Sequence, residues 1–593
     1  MLTNSTACPL DCYDACEVVY ENEKIKAKKG GHTQGFLCPN LNHFDNYKRI
    51  LTPSYKGEVI TMPEALKKLQ ELLDENLKSE TLHYKGHGNF GLMQDVTEHA
   101  FAQLGCTLTD GTLCDGAGEA GILEGRGSNK NMTISEIAKS EVVIFWGRNP
   151  HSTSSHLLPL IKDKTVIVID PIRTKIAQNA DLFIQIKPHT DLYLAMLLSR
   201  FVHINDMADE KYLEEYGSEF EEYYELTQTI RIKSMLEYMS LSLGQVGDIL
   251  ELVRDKKVAI VCGVGIQKYR DGADVMRAID AFGVSLGLFG KEGCGVSYLG
   301  ASKAGIDSPF TLKAKRVSKV DTPFDEFKTV IIQGSNPLSQ MPDNIRVKNS
   351  IFHTKNVVYF GLYENESSAV ADLIIPAKTF LEKNDIRTSY SHDMMIDMPK
   401  QIKNVVGISE YDLAAFICKT YELELKSEAE YIEHFKSFST TDAEGKRVVN
   451  NREVIVYEDG FDTDDGEFLF LEEVEIDKSA NKIKMRKRKK VQTKSDEMHL
   501  LTPKSLKSLN SQFNREENVY LHSSLGYEEG SEIEISSING KIVLRLIHDD
   551  NLRDDCVLIY SGTKGVNNLT SSKHSYEGNS AIYQEDRVEI TKV

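Results

Sequence analysis

The sequence predicts a multidomain α/β protein with two doubly wound units and a C-terminal β-barrel, and three observations predict it. At 593 residues the chain is too long for one core and should divide into three or four domains. A strand–Gly-x-Asn-Pro–helix–strand pattern occurs twice in the middle of the chain. The final stretch changes to short alternating strands joined by tight turns. The composition, 41% hydrophobic and 27% charged, is that of a globular protein and argues against disorder. A net charge of -19 leaves no broad basic face for phosphate neutralisation, which excludes a nucleic-acid binder. The opening Met1-Leu2-Thr3-Asn4 shows no export signal, and no apolar run reaches membrane-span length. The expected compartment is the cytoplasm, with no membrane span.

In chain order, the first element is a cysteine cluster. The spacing is Cys8-x3-Cys12-x3-Cys16, followed by Cys38. Three thiolates on a short segment and one from a distant turn can surround a cubane, whereas structural zinc usually takes two close cysteine pairs. The three-plus-one pattern favours iron–sulfur. Between the third and fourth cysteines, residues Glu17 to Gly31 read as a β-hairpin with its turn at Glu21 to Glu23.

The duplicated units follow. Strand Val142 to Trp146 runs into Gly147-Arg148-Asn149-Pro150, and strand Val330 to Gln333 runs into Gly334-Ser335-Asn336-Pro337. Each is trailed by a helix-like stretch, a second strand (Thr165 to Asp170; Asn356 to Phe360) and an Ala-Asp-Leu strand at Ala180-Asp181-Leu182 or Ala371-Asp372-Leu373. Glycine lets the backbone approach a phosphate, and helix N-termini add donors. Asp170 ends its strand where an acid commonly accepts from a ribose hydroxyl. One such unit is compatible with ordinary structural packing; two imply two similar nucleotide sites. Gly86-His87-Gly88-Asn89-Phe90-Gly91 matches the dinucleotide fingerprint formally. It is expected to lack a following strand that ends in an acid, with Asp110 in a loop.

A glycine-rich loop, Thr109 to Glu119, carries Cys114 and Asp115. Such a loop can present a thiolate to a bound metal, but taken alone it equally suits a small buried cysteine. Asp115 can shuttle a proton if burial raises its pKa, or can bond the loop backbone. Cys106 lies on an apolar stretch and reads as core, and Cys262, Cys294, Cys418 and Cys556 read as packing. Arg452 to Lys490 is strongly charged, acidic first and then basic over Lys482 to Lys490. The basic run reads as a solvated face, or as a docking patch for an acidic redox partner. Asp462-x-Asp464 with Gly466 falls short of a calcium loop. Ser531 to Ser536, the Asn539-Gly540 turn and Lys541 to Ile547 form a hairpin of the small barrel.

Cys8-Pro9-Leu10-Asp11-Cys12-Tyr13-Asp14-Ala15-Cys16, with Gly35-Phe36-Leu37-Cys38-Pro39, resembles the opening of the molybdopterin oxidoreductases of the dimethyl sulfoxide reductase superfamily. The resemblance covers nearly the whole chain and is poor only from about Leu425 to Glu497. It implies a [4Fe–4S] cluster on Cys8, Cys12, Cys16 and Cys38. It also implies bis-molybdopterin guanine dinucleotide (bis-MGD) with molybdenum or tungsten, bound by Cys114. Gly147, Asn149, Asp170, Arg173, Thr190 and Asp191 are implied at one guanosine; Gly334, Asn336, Glu364 and the Asp372 strand with Pro376 at the other. Leu501-Thr502-Pro503-Lys504-Ser505 and Asn510-Ser511-Gln512 resemble the opening of the family's C-terminal dinucleotide-binding domain, which implicates Thr502, Ser505 and Asn510. Asn567 and Asn568 resemble its closing contact loop. His156 matches a histidine frequent after the Gly-x-Asn-Pro turn and is a candidate catalytic residue beside Cys114 and Asp115.

The implied domains are an iron–sulfur domain (1–50), a discontinuous α/β domain (51–115 and 305–430) and a second α/β domain (116–304). A charged connecting segment (431–497) and a six-stranded-type β-barrel (498–593) complete the chain. The two α/β domains are expected to be pseudo-symmetric. Two departures from the family stand out. Many members have a lysine two residues after the fourth cysteine, between cluster and pterin, where this chain has Asn40; Lys48 or Arg49 is the nearest replacement. Formate dehydrogenases have a histidine after the metal-bound cysteine, where this chain has Asp115. The implied activity is two-electron transfer on a small substrate, often with an oxygen atom, with electrons exchanged through an iron–sulfur or other electron-transfer partner. A formate dehydrogenase-like enzyme and a relay subunit that has lost its metal are the alternatives.

Overall fold

The computed structural model describes residues 4–42, 44, 48–217, 219–311, 313–403, 405–450, 452–474 and 497–593. The basic run Lys482 to Lys490 lies outside them. At the N-terminus, strands Glu17–Glu21 and Lys24–Ala27 form the expected hairpin. Its turn residues Asn22 and Glu23 both have positive φ, 52 and 60°, the backbone of a tight two-residue turn. A third strand, Ser5–Ala7, pairs antiparallel with the first. It delivers Cys8, whose N–H donates to the Cys16 carbonyl at 2.8 Å and closes the cysteine loop.

Two open sheets carry the middle of the chain. The first orders five parallel strands as Leu182–Ile184, Thr165–Ile169, Val142–Trp146, Val258–Cys262 and Gly295–Ser297. The second has eight: Arg316–Ser318, Thr107–Asp110, Thr81–Lys85, Thr329–Gln333, Asn356–Gly361 and Leu373–Pro376 run parallel, and Ser54–Tyr55 and Glu58–Val59 close one edge antiparallel. The central strands are buried along their whole length, which explains their unbroken apolar, β-branched runs.

The repeated motifs have matching local geometry. Gly147 and Gly334 turn with φ of 60 and 54°, and their N–H groups donate to Ile169 O at 2.8 Å and Phe360 O at 3.0 Å. A short helix starts at each proline, Pro150–Thr153 and Pro337–Gln340, where the missing N–H costs nothing. The Ala-Asp-Leu carboxylates look inward to the sheet. Asp181 accepts from Val166 N and Asp372 from Val357 N, both at 2.8 Å. This pins neighbouring strands.

Asp110 also departs from expectation. It closes a true strand, Thr107–Asp110, that pairs parallel with Thr81–Lys85. The Gly86–Gly91 segment is nonetheless a packing device: a Cβ on Gly86 or Gly88 would stand 2.8 or 2.7 Å from Gly334 O. Helix Glu428–Lys436 runs through the expected boundary near residue 430. Between 456 and 471, Val456, Tyr457, Phe461, Phe468, Phe470 and Leu471 are buried in the core of the five-stranded unit, so that stretch is more than a charged connector. Asp462 pairs with Lys130 at 2.8 Å.

The C-terminal strands Met498–Leu501, Asn518–Leu521, Glu532–Ser536, Lys541–His548, Cys556–Leu558 and Arg587–Lys592 close a six-stranded barrel. Leu500, Val519, Ile533, Ile535, Leu546 and Val557 fill it. Among the described residues, no helix is long and apolar enough to cross a membrane.

Candidate active site

One cavity of about 1010 Å³ takes its wall from the cysteine loop, the carboxyl ends of both sheets and the start of the barrel. That is the upper end of the range for a single small-molecule pocket, roughly 300–1,000 Å³. Cys8, Cys12, Cys16, Cys38 and Cys114 all line it. So do Gly147, Asn149, Asp170, Arg173, Asp191, Gly334, Asn336, Glu364, Thr502, Ser505, Asn510 and Asn567.

Three expected contacts do not line it. Thr190 is buried and donates its hydroxyl to Lys187 O at 2.7 Å. Asn568 packs beside Gly540. Asp115 sits behind Cys114 at the start of helix Gly116–Arg126, and only the Thr112 hydroxyl reaches its carboxylate, at 3.5 Å. Burial and the nearby Glu119 push the Asp115 carboxyl up to about 6, but the group does not face the cavity. These three residues, expected at the site, lie off the cavity wall.

Cys114 opens into the cavity while its surroundings screen it from bulk water, so its residue is accessible yet burial pushes its thiol up to about 12. The loop is held on both sides. Thr112 Oγ1 accepts from Cys114 N at 2.9 Å. Gln267 donates from Nε2 to Cys114 O at 2.9 Å and accepts at Oε1 from Gly118 N at 2.9 Å. Gln267 thereby caps the helix after Cys114, a task the side chain of Asp115 does not perform. Lys268 donates to Leu113 O at 2.7 Å and lies over the Tyr583 ring at 5.0 Å. On the other side a Cβ on Gly116 would meet Gly578 O at 2.4 Å, so only glycine allows this approach. Gln267 and Lys268 escaped the sequence reading, although they follow a third strand–glycine turn, Val258 to Gly263.

The cysteine loop is enclosed and unusually rich in polar neighbours. Burial pushes the Cys8, Cys12 and Cys16 thiols upward, and the other cysteines add to it. His156, fully buried, places Nδ1 2.8 Å from Asp14 Oδ2 and 3.5 Å from Cys16 Sγ, with Nε2 3.1 Å from Phe36 O. Both ring nitrogens are engaged on the cysteine side, and the residue lines the cavity there. Lys48 pairs with Glu364 at 2.8 Å and Arg49 with Glu382 at 2.9 Å, so both candidate replacements for the family lysine are spent in ion pairs.

At the nucleotide-like ends, Asp170 Oδ1 accepts from Ile172 N at 2.8 Å, and burial raises its carboxyl to about 7. Asp191, raised by burial to about 6, accepts from Trp146 Nε1 at 2.7 Å. Asn336 Nδ2 donates to Glu366 at 2.8 Å and to Ser511 Oγ at 3.1 Å, which ties the second Gly-x-Asn-Pro turn to the segment entering the barrel.

Two open sheets and a barrel converge on one cavity, the arrangement of a large multidomain α/β protein. The chain belongs to the molybdopterin oxidoreductase family, whose profile matches residues 68–407. It is 26% identical over 447 residues to the probable oxidoreductase YyaE of Bacillus subtilis (strain 168), covering 69% of this chain and 67% of that one. It is 22% identical over 455 residues to formate dehydrogenase H of Escherichia coli (strain K12), covering 65% and 63%. The chain thus spans about two thirds of the length of these relatives. In fold it is similar to acetylene hydratase from Pelobacter acetylenicus, with a TM-score of 0.80, 14% identity and both chains covered fully. Family membership makes the chain an enzyme and implies a pterin-bound molybdenum or tungsten.

Proposed function

We propose that the protein is a bis-MGD oxidoreductase with one [4Fe–4S] cluster, acting by two-electron transfer on a small substrate. The observation that carries this reading is the convergence of four N-terminal cysteines, Cys114 and both Gly-x-Asn-Pro turns on a single cavity. Two further observations support it. Tyr84 Oη, Gln94 Oε1, Gln333 Nε2, His151 Nδ1, Thr174 Oγ1 and Ser561 Oγ belong to cavity-lining residues and are buried without a partner in the protein. Orphaned donors and acceptors of this kind suit a large polar heterocyclic ligand. Among the described residues, the one set of His, Cys and carboxylate donors drawn within 4.8 Å is Asp14, Cys16, His32 and His156.

In this reading Cys8, Cys12, Cys16 and Cys38 hold the cluster, and Cys114 supplies the soft protein ligand to the metal. Asp170 and Arg173 serve one guanosine, and Asn336 and Glu364 the other, as the two sheets take equivalent roles. When bound, these groups would supply two-electron chemistry at the metal and one-electron exchange through the cluster. Gln267 and Lys268 fix the backbone that presents Cys114, and the packed glycines around that loop keep it rigid. Analysis of anaerobically purified protein should find about four iron and four sulfide per chain and two GMP per molybdenum or tungsten on cofactor release. Stoichiometric zinc without sulfide, or a pterin without nucleotide, would end this reading.

A further inference from the structure

Two arginines in the described structure have no exposed surface, Arg126 and Arg387. Arg126 is neutralised: its guanidinium donates to both oxygens of Asp280, from Nε at 2.7 Å and from Nη2. Arg387, in strand Asp385–Arg387, has no such partner. Its Nη2 donates to Leu10 O at 3.1 Å and its guanidinium lies over the Phe90 ring at 4.0 Å. Nε and Nη1 are buried with no acceptor in the protein, and among the described residues Arg387 makes no ion pair. Arginine remains charged in any protein environment, and burying a charge without a counter-ion is among the costliest arrangements a fold can adopt. The neighbouring carboxylate Asp11 bonds His87 and Tyr390 instead, so among the described residues no carboxylate is paired with this guanidinium.

Arg387 is not among the residues lining the cavity, so its charge reaches a ligand held there through space rather than by contact. Arg148, which is also buried, does line the cavity and is bonded to Ser154 Oγ at 2.8 Å, so it can meet a ligand there. Arg387 instead stands behind the Cys8–Cys12 segment, bonded to the Leu10 carbonyl between those two cysteines. A cubane held by four thiolates is an anion in both redox states and gains one negative charge on reduction.

We propose that Arg387, held against the Cys8–Cys12 segment through Leu10 O, is the counter-charge of the iron–sulfur site and provides the cation that Asn40 does not. The inference rests on the cluster reading above. When one electron enters from a partner, no bond is made or broken. The fixed cation favours the reduced form and so raises the midpoint potential.

The test is a redox titration of the holoenzyme monitored by the cluster's electron paramagnetic resonance signal, with iron content measured in parallel. Arg387→Gln keeps a donor for Leu10 O but removes the charge, and should shift the midpoint to more negative potential at unchanged iron. Arg387→Lys keeps the charge and should stay near the wild-type value. A Gln variant that loses its iron while the Lys variant keeps it also supports the charge requirement. An unmoved potential in an iron-replete Gln variant overturns the proposal. So does a Lys variant shifted as far as Gln, or loss of iron from both, which would make the residue structural. Wild-type protein without iron and sulfide refutes the cluster reading itself, and is distinguished by the absence of any signal to titrate.

Discussion

Asp170→Asn should make the ligand-free protein more stable at neutral and alkaline pH, and the size of the effect follows from the site. Asp170 is buried at the end of strand Thr165–Ile169, its carboxyl raised from 3.8 to about 7 chiefly by burial, with Asp191 adding to the shift. Because the folded value is the higher one, the folded protein keeps a proton that the unfolded chain releases between about pH 4 and 7. Stability therefore falls as pH rises through that window, and the full penalty is present above about pH 7. A shift of roughly three units corresponds to about 4 kcal/mol. Asparagine cannot ionise and keeps an oxygen for Ile172 N. In protein produced without pterin, denaturant titrations should show the variant ahead by up to about 4 kcal/mol near pH 8, shrinking to nearly nothing near pH 4. With cofactor bound the sign should reverse, since ribose hydroxyls donate to a carboxylate and stabilise its charged form. Equal stability of the two ligand-free proteins near pH 8 would refute the reasoning, as would a difference that ignores pH.

Two further substitutions probe the metal loop. Cys114→Ser should leave iron and nucleotide content nearly intact, alter the metal's spectroscopic signature and cut turnover sharply, because an oxygen donor replaces a soft sulfur; an unchanged signature with full activity removes Cys114 from the site. Gln267→Met conserves volume but leaves the Cys114 carbonyl and the Gly118 N–H unpaired, at a cost of about 1–3 kcal/mol in thermal or chemical unfolding. It should also broaden the metal signature by loosening the loop, and a stability loss with a sharp, unchanged signature would show Gln267 to be purely structural.

Much of the fold was legible because its strongest elements carry local signals. The buried central strands are continuous β-branched runs, the Gly-x-Asn-Pro turns mark their carboxyl ends, and Asn539-Gly540 marks a barrel hairpin whose register places Ser536 opposite Lys541. The failures are equally physical. Ser5–Ala7 is too short to show a period. The charges around 458–465 masked apolar anchors that become visible only when Phe461, Phe468 and Phe470 meet the distant helices they bury against. At the site, spacing picked out the four N-terminal cysteines and the family resemblance Cys114, all of which reach the cavity, but neither could say which neighbour of a pair faces inward. Thr190 and Asp191 are adjacent, yet the hydroxyl turns to Lys187 O and the carboxylate lines the wall. Gln267 and Arg387 reach the Cys114 and Cys8–Cys12 loops from far along the chain, so no local pattern announces them.

The charge on the cavity wall bears on what the cavity can hold. The chain as a whole carries -19, a surplus of acid that by itself repels phosphates. Yet Arg148, Lys268, Lys319 and Lys504 line the cavity, and among the described residues none of the four makes an ion pair. Burial lowers the ammonium groups of Lys268 and Lys319 to about 8, close enough to neutrality that an anion beside them would restore their charge at little cost. The acids of the same wall are arranged differently. Glu364 is neutralised by Lys48, while Asp170 and Asp191 stand where burial favours their protonated forms. Four cations without ion pairs on one cavity wall are complementary to a ligand that carries negative charge. A small neutral substrate would leave those cations buried without compensation, so the lysines argue for an anionic ligand independently of the cysteines and of the repeated turns.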